Sequence, residues 1–170
     1  MKHSKKSGSK FHYSKPDARA LQKRSSGGGN REGFLKKEVK FFVPKQGDNL
    51  IRILPPTWDA AEHYGFDAYV HYGIGSNNGA YLCSNKMKNK KCPVCEEHSR
   101  ALKDTDEEYA NKLRPSHRVL VYLIDRDTED EGVKVWSMPA SIDRDLAALS
   151  VDKRSKAVYA IDDPEAGFDI

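Results

Sequence analysis

The sequence predicts a small, mainly β domain with short helices and an inserted metal-binding subdomain. Short runs of alternating apolar and polar residues, bounded by proline, glycine or acidic turns, are typical of strands. All three cysteines fall between residues 83 and 95, where a CxxC pair follows a single upstream cysteine. Hydrophobic residues make up 38% of the chain and charged residues 32%. The core is therefore modest, and a metal ion would help to stabilise it.

The alternation predicts strands of a small barrel. The clearest lies over 116–125, where Val119, Val121 and Leu123 share one face. An oligonucleotide-binding (OB) barrel of five or six strands fits the pattern, although periodicity alone does not distinguish it from another small barrel or sandwich. The other predicted strands cover 39–43, 49–54, 68–74, 80–83, 133–138 and 156–161.

Helices are predicted after the CxxC pair and near the C-terminal end. Apolar residues at helical spacing indicate one helix over about 94–102. A second is expected over 106–113 with Thr105 as its N-cap, and a third runs from a Ser141 cap to about residue 150. Asp143 would then compensate the helix dipole.

Residues 1–33 are predicted to form a disordered basic arm, with the folded body over 34–170. Residues 1–40 hold twelve Lys and Arg against three Asp and Glu, so they carry +9 and the remainder carries −5. Such an arm favours a polyanion or an acidic protein as partner, or serves only as a solubilising tail. The last residues, 168–170, look like the start of a strand. We therefore expect either a fragment or a terminal strand that pairs elsewhere.

The cysteine spacing predicts a structural zinc site. The CPVC segment at 92–95 places two thiolates in one tight turn, and Cys83 would be the third ligand. His71 is the preferred fourth ligand, with His63 and His98 as alternatives. A closed Cys₃His set is structural rather than catalytic. The zinc-binding subdomain would span about residues 63–115.

Two other interpretations of the cysteines fit the sequence less well. A disulfide framework is disfavoured by the odd count and by an N-terminus without an apolar signal region. A redox CPVC motif should follow a buried apolar strand, whereas here residues 85–91 are polar and basic. A redox site would be marked by reversible dithiol titration without bound metal.

Several segments in register resemble the single-stranded DNA-binding, helix-destabilising proteins of T-even-type bacteriophages. They are NLIRILP at 49–55, His71, Cys83, CPVC at 92–95, EEY at 107–109, the strand 118–127 and EGVKVW at 131–136. The resemblance covers about residues 38–150. A Tyr-Trp pair of the family pattern is Arg118-Val119 here.

The resemblance implies an OB-fold core with a zinc subdomain beside a basic cleft. It implies zinc ligands at His71, Cys83, Cys92 and Cys95, which favours His71 over the other histidines. Family members also carry an N-terminal motif for cooperative binding along the strand and an acidic C-terminal tail that recruits replication proteins. No segment matches that tail, so we expect the chain to stop before it. The sequence that resembles the cooperativity motif is Lys23, Arg24, Ser25 and Ser26.

Basic and aromatic residues supply the groups that single-stranded DNA needs. Cations meet phosphates and release counterions, while aromatic rings stack on bases with little sequence preference. For Tyr122 and Trp136 a core position is an equal alternative. The candidate phosphate contacts are Arg52, Lys86, Lys88, Arg114, Arg118 and Lys134, and the candidate stacking residues are Tyr81, Tyr109, Tyr122 and Trp136.

These observations favour a sequence-nonspecific single-stranded DNA-binding protein that coats and protects strands during phage replication, recombination and repair. Its expected partners are single-stranded DNA, neighbouring copies of itself, and replication and recombination proteins, in the cytoplasm of an infected bacterial host. The alternative is a zinc-stapled RNA-binding or protein-interaction adaptor. No nucleophile elbow, phosphate loop or HExxH motif is present, so we expect no enzymatic activity. No apolar run is long enough to span a membrane.

Overall fold

The computed structural model describes residues 33–36, 38–59, 61–152 and 154–170. The predicted arm, including the cooperativity motif at 23–26, lies outside the described residues apart from its last position. The elements are β1 (Ile51–Ile53), β2 (Phe66–Ile74), β3 (Gly79–Leu82), α1 (Ser84–Lys88), α2 (Pro93–Lys103), α3 (Glu107–Leu113), β4 (Ser116–Asp125), a 3₁₀ helix (Arg126–Glu131), β5 (Lys134–Pro139) and α4 (Ala140–Leu149).

Strand β4 is the centre of a five-stranded antiparallel sheet. Along one edge, the first half of β4 pairs with β2 and the last residues of β4 pair with β1. Strand β5 pairs with the other edge of β4. Strand β3 extends the sheet beyond β2. The ten residues of β4 match the predicted bounds, and buried positions alternate with less buried ones from Val119 to Asp125. The described strands form one sheet that does not close on itself, so the OB barrel is not established.

The main core lies on one face of this sheet. Ile53, Leu123 and Met138 are fully buried there. Phe42 packs edge-on against Trp136, with ring centroids 5.6 Å apart. A smaller apolar cluster of Ala68, Val70 and Ala80 lies around β2 and β3. The sheet therefore has apolar packing along its length, as the alternation of the strands predicts.

Three helices between β3 and β4 form what we term the helical lobe, residues 84–114. Pro93 opens α2 at its first turn, where its missing N–H costs nothing. Asp106 caps α3 by accepting from the Tyr109 backbone N–H at 3.0 Å. The lobe buries few side chains of its own: Cys92, Ala101, Ala110 and Leu113.

The structure corrects several local predictions. The four α-helices hold about as many residues as the five strands, so the class is mixed rather than mainly β. Asp106 rather than Thr105 caps α3, and α4 begins after Pro139 without a side-chain cap from Ser141. The predicted strand 156–161 is reduced to one bridge between Val151 and Val158. The predicted strand 39–43 is likewise a single parallel bridge from residue 41 to β5.

The last residue pairs with the first strand of the sheet. Ile170 exchanges two backbone hydrogen bonds with Ile51, at 2.8 and 2.9 Å. The terminal residues thus pair elsewhere in the fold, which was one of the two alternatives. Among the described residues, none of the helices is both long and apolar enough to cross a membrane.

Candidate functional site

Four predicted ligands converge on one point between the sheet and the helical lobe. The ligand atoms of His71, Cys83, Cys92 and Cys95 all lie within 4.8 Å of one another. The Cys92 Sγ and Cys95 Sγ atoms lie 3.4 and 3.6 Å from His71 Nε2. The Cys83 and Cys95 sulfur atoms are 3.4 Å apart. This cluster could bind a metal ion, and it consists of the four residues that were predicted as ligands.

The four ligands are held by three different local structures. His71 lies in the middle of β2, and Cys83 follows β3 directly. Cys83 also caps α1, since its Sγ accepts from the Lys86 backbone N–H at 3.4 Å. Cys92 precedes the first turn of α2, and Cys95 lies within it. The donor atoms therefore come from the sheet, from a strand end and from a helix start.

A hydrogen bond fixes the orientation of His71. Its Nδ1 lies 2.7 Å from the Leu113 carbonyl oxygen at the end of α3. Because a carbonyl can only accept, Nδ1 carries the proton and Nε2 presents its lone pair to the sulfur atoms. Such an outer hydrogen bond is the usual partner of a metal-bound histidine. His71 is only 1% exposed, so its ring makes almost no contact with solvent.

A cation at this site would stabilise the ionised form of the three thiols. Burial opposes ionisation of Cys92, but hydrogen bonds from the Cys95 and Val94 backbone outweigh it, and the pKa of Cys92 is lowered. Burial, together with the neighbouring thiols Cys83 and Cys92, raises the pKa of Cys95 to about 12. Three thiolates side by side repel one another unless a cation neutralises them.

The alternative histidines lie outside this cluster. His63 is exposed, and its Nδ1 accepts from the Gly65 backbone N–H at 3.2 Å. His98 lies on α2 and is not among the four clustered ligands. CPVC does open a helix, as a redox motif would, but the residues before it, 89–91, are exposed rather than a buried strand.

Five predicted DNA contacts are exposed around the metal cluster. Tyr81 lies opposite His71 across the β2–β3 pair and is 53% exposed. Lys86 and Lys88 lie on α1, which Cys83 caps. Tyr109 lies on α3, and Arg114 follows the residue that accepts from the histidine. Tyr81, Lys86 and Lys88 are therefore close to a cluster residue in the sheet or the chain. By contrast, Tyr109 and Arg114 are linked to the cluster only through the Leu113 carbonyl.

Three others are half-buried and already have contacts. Arg52 donates from Nη2 to the Asp163 carbonyl oxygen at 2.5 Å. The Arg118 guanidinium lies 5.5 Å from the ring centroid of Tyr72. The ring of Tyr122 lies 6.2 Å from that of Trp58.

Two predicted DNA contacts are structural instead. The Lys134 side chain is 8% exposed, with its Nζ 3.1 Å from an Asp125 carboxylate oxygen and 2.7 Å from one of Glu131. Trp136 is 8% exposed and packs in the core, which settles the alternative left open for it. In the sequence, the nearby acidic residues Asp125 and Glu131 indicate that Lys134 could form ion pairs.

An aromatic cleft on the sheet was not predicted from the sequence. Its apolar walls include Trp58, Phe66 and Tyr122, and its volume is about 240 Å³. The ring centroids of Trp58 and Phe66 are 6.0 Å apart, and Phe66 is 46% exposed. The register of β2 against β4 pairs Phe66 with Leu120, two residues before Tyr122, and no local pattern reveals that register. Trp58 reaches both rings from the segment between β1 and β2.

No protein-family model, curated protein or solved structure matches this chain.

Proposed function

We propose that this chain binds single-stranded DNA without sequence preference. The observation that carries the proposal is the concentration of exposed cations and rings on segments attached to the metal cluster. Lys86 and Lys88 would meet phosphates, and Tyr81 and Tyr109 would stack on bases. A duplex hides its base faces, so such a surface favours single strands.

We further propose that the metal is zinc and that its role is structural. In a tetrahedral site with Zn–S near 2.3 Å and Zn–N near 2.0 Å, the edges are about 3.5–3.8 Å. The separations of 3.4 and 3.6 Å between donor atoms are close to those edges. Three sulfurs and one imidazole are typical zinc donors, and they leave no position open for catalysis.

The wider proposal follows the resemblance to helix-destabilising phage proteins. The protein would be a non-enzymatic strand-coating factor in replication, recombination and repair, in the cytoplasm of an infected bacterium, with copies of itself and replication proteins as partners. An OB-type arrangement of the sheet belongs to this proposal. It is supported by additional pairing at two places: Phe42 donates to the Val135 carbonyl of β5, and Ile170 pairs with Ile51 of β1.

The test is titration of fluorescently labelled oligo-dT and of a matched duplex with the metal-loaded protein, at several salt concentrations. We expect binding to oligo-dT that weakens as salt rises, and much weaker binding to the duplex. Equal binding to both, or no binding to either, contradicts the proposal. Preference for RNA over DNA of the same sequence would favour the adaptor alternative.

Two tyrosines of equal exposure provide a matched pair of variants. Tyr81 and Tyr159 are both 53% exposed, but only Tyr81 adjoins the metal cluster. A stacked base contributes roughly 1–3 kcal/mol, so Tyr81→Ala should weaken oligo-dT binding by about five- to 150-fold. Tyr159→Ala should leave it unchanged. Equal effects of the two substitutions would refute a stacking role for Tyr81.

A further inference from the structure

A cleft beside β4 and β5 is lined by two residues that each have a buried polar atom without a hydrogen-bond partner. Arg118 Nε and Ser137 Oγ are both buried and unpaired among the residues that the structure describes. Both residues line the same cleft, whose volume is about 210 Å³. Leaving a buried donor unpaired costs about 1–3 kcal/mol, so such atoms are rare in folded proteins and call for an explanation.

The strand register places the two side chains on one face of the sheet. Arg118 is paired with Pro139 across β4 and β5, and Leu120 is paired with Ser137. Arg118 and Ser137 are thus diagonal neighbours, near enough to contact one ligand group. The Tyr72 ring, 5.5 Å from the guanidinium carbon, restrains the arginine from the β2 side.

The charge of the cleft favours an anion. Its lining contains Arg118 but no aspartate or glutamate. Arg118 forms no salt bridge within the described part of the chain, in contrast to Arg126 and Lys134, which both do. The remaining walls are apolar and come from residues such as Phe42, Pro44 and Ile142. An arginine with an adjacent hydroxyl suits the oxygens of a phosphate, and apolar walls suit the attached sugar.

We propose that this cleft is a phosphodiester subsite for single-stranded DNA. On binding, small side-chain rotations expose Arg118 Nε and Ser137 Oγ to the cleft, where they donate to the oxygens of one backbone phosphate, and Tyr72 stays stacked near the guanidinium. This inference rests on the proposed function and assigns one phosphate contact within it. It adds Ser137 and Tyr72 to the predicted residues, and it places one contact on the sheet rather than on the helical lobe.

The test compares four variants of the full, metal-loaded chain by oligo-dT titration across salt concentrations. Arg118→Gln should weaken binding about tenfold and reduce the slope of log K against log salt by about 0.7, since one phosphate contact is lost. Arg118→Lys keeps the slope but weakens binding about threefold or more, because it lacks Nε. Ser137→Ala behaves in the same way as Arg118→Lys. Arg154→Gln, which removes an exposed charge elsewhere, is the control.

A direct measurement on the unmodified protein guards against variants that do not fold. The arginine Nε–H resonances are followed by NMR while oligo-dT is added. The Arg118 resonance is assigned as the one that is missing from the spectrum of Arg118→Lys. If that variant does not fold, the resonance is assigned by through-bond correlation. A shift of the Arg118 signal that saturates with binding supports the subsite. Binding without any shift of that signal, or equal losses in Arg118→Gln and Arg154→Gln, overturns the subsite but leaves single-stranded DNA binding intact. No binding by the unmodified chain refutes the proposed function and the subsite with it.

Discussion

Removal of the metal is expected to unfold the helical lobe while the sheet remains folded. The lobe buries Cys92, Ala101, Ala110 and Leu113 and no larger side chain. At about 0.8 kcal/mol per buried CH₂, their burial contributes only about 5 kcal/mol. Binding of a structural zinc contributes roughly 10–16 kcal/mol at neutral pH, so a zinc ion in this site would stabilise the lobe more than its apolar contacts do. The main core lies on the sheet and does not depend on the metal.

The helix content gives the size of the expected signal. Helices α1, α2 and α3 hold 5, 11 and 7 residues, and α4 holds 10. Unfolding of the lobe would therefore remove about two thirds of the described α-helical residues. Far-UV circular dichroism should show this loss when a chelator is added, and readdition of Zn²⁺ should restore the signal, whereas Mg²⁺ should not.

Histidine variants separate the ligand from its alternatives. His71→Asn should show the reduced helical signal even with zinc present, because it removes one of the four donors. His63→Asn and His98→Asn should keep the full signal and one bound zinc. A metal-dependent lobe is refuted if chelated protein, verified to be metal-free by elemental analysis, keeps its helical signal. The assignment of His71 is refuted if His98→Asn loses zinc and His71→Asn does not.

Two further predictions concern the sheet. A Cβ at Gly65 would lie 2.3 Å from Val119 Cγ1. Gly65→Ala should therefore lower the free energy of unfolding, measured by urea denaturation, by about 1–3 kcal/mol. An unchanged urea midpoint would contradict this packing. Hydrogen bonds, first from Thr128 and then from Lys134, lower the pKa of Asp125 in the folded protein. The ionised Asp125 carboxylate therefore stabilises the fold at any pH above its pKa in the unfolded chain, which is near 3.9. This contribution is lost as the pH falls through the lower pKa of the folded state. The difference in urea midpoint between the unmodified protein and Asp125→Asn should therefore be large at pH 7 and shrink below about pH 4, whereas a constant difference would exclude this linkage.

The sequence predicted those parts of the molecule that local chemistry determines. In strand β4 the apolar residues Val119, Val121 and Leu123 recur at every second position, and the predicted bounds of the strand were correct. The ligand set followed from cysteine spacing and from the resemblance. Helix α1 was missed because its residues are polar and lack apolar periodicity, and its start depends on the sulfur of Cys83.

Other parts depend on contacts that no local pattern encodes. Residues 156–161 are mostly apolar, yet only Ile161 reaches the main core and Val158 is 72% exposed. Lys134 was predicted as a phosphate contact, but its neighbours across the turn are Asp125 and Glu131. Whether a sheet closes into a barrel also depends on long-range pairing, which the alternation of apolar residues does not specify.

The distribution of the ligands has a consequence for protein engineering. Residues 83–95 look like a portable metal-binding cassette, but they carry only the three sulfurs. The fourth donor, His71, belongs to the sheet, and its orientation is fixed by the carbonyl of Leu113 beyond the cassette. A transplanted cassette would bind zinc through three ligands and leave one coordination position to water. The centre is therefore not modular, and only a graft that includes β2 through α3 would reproduce it.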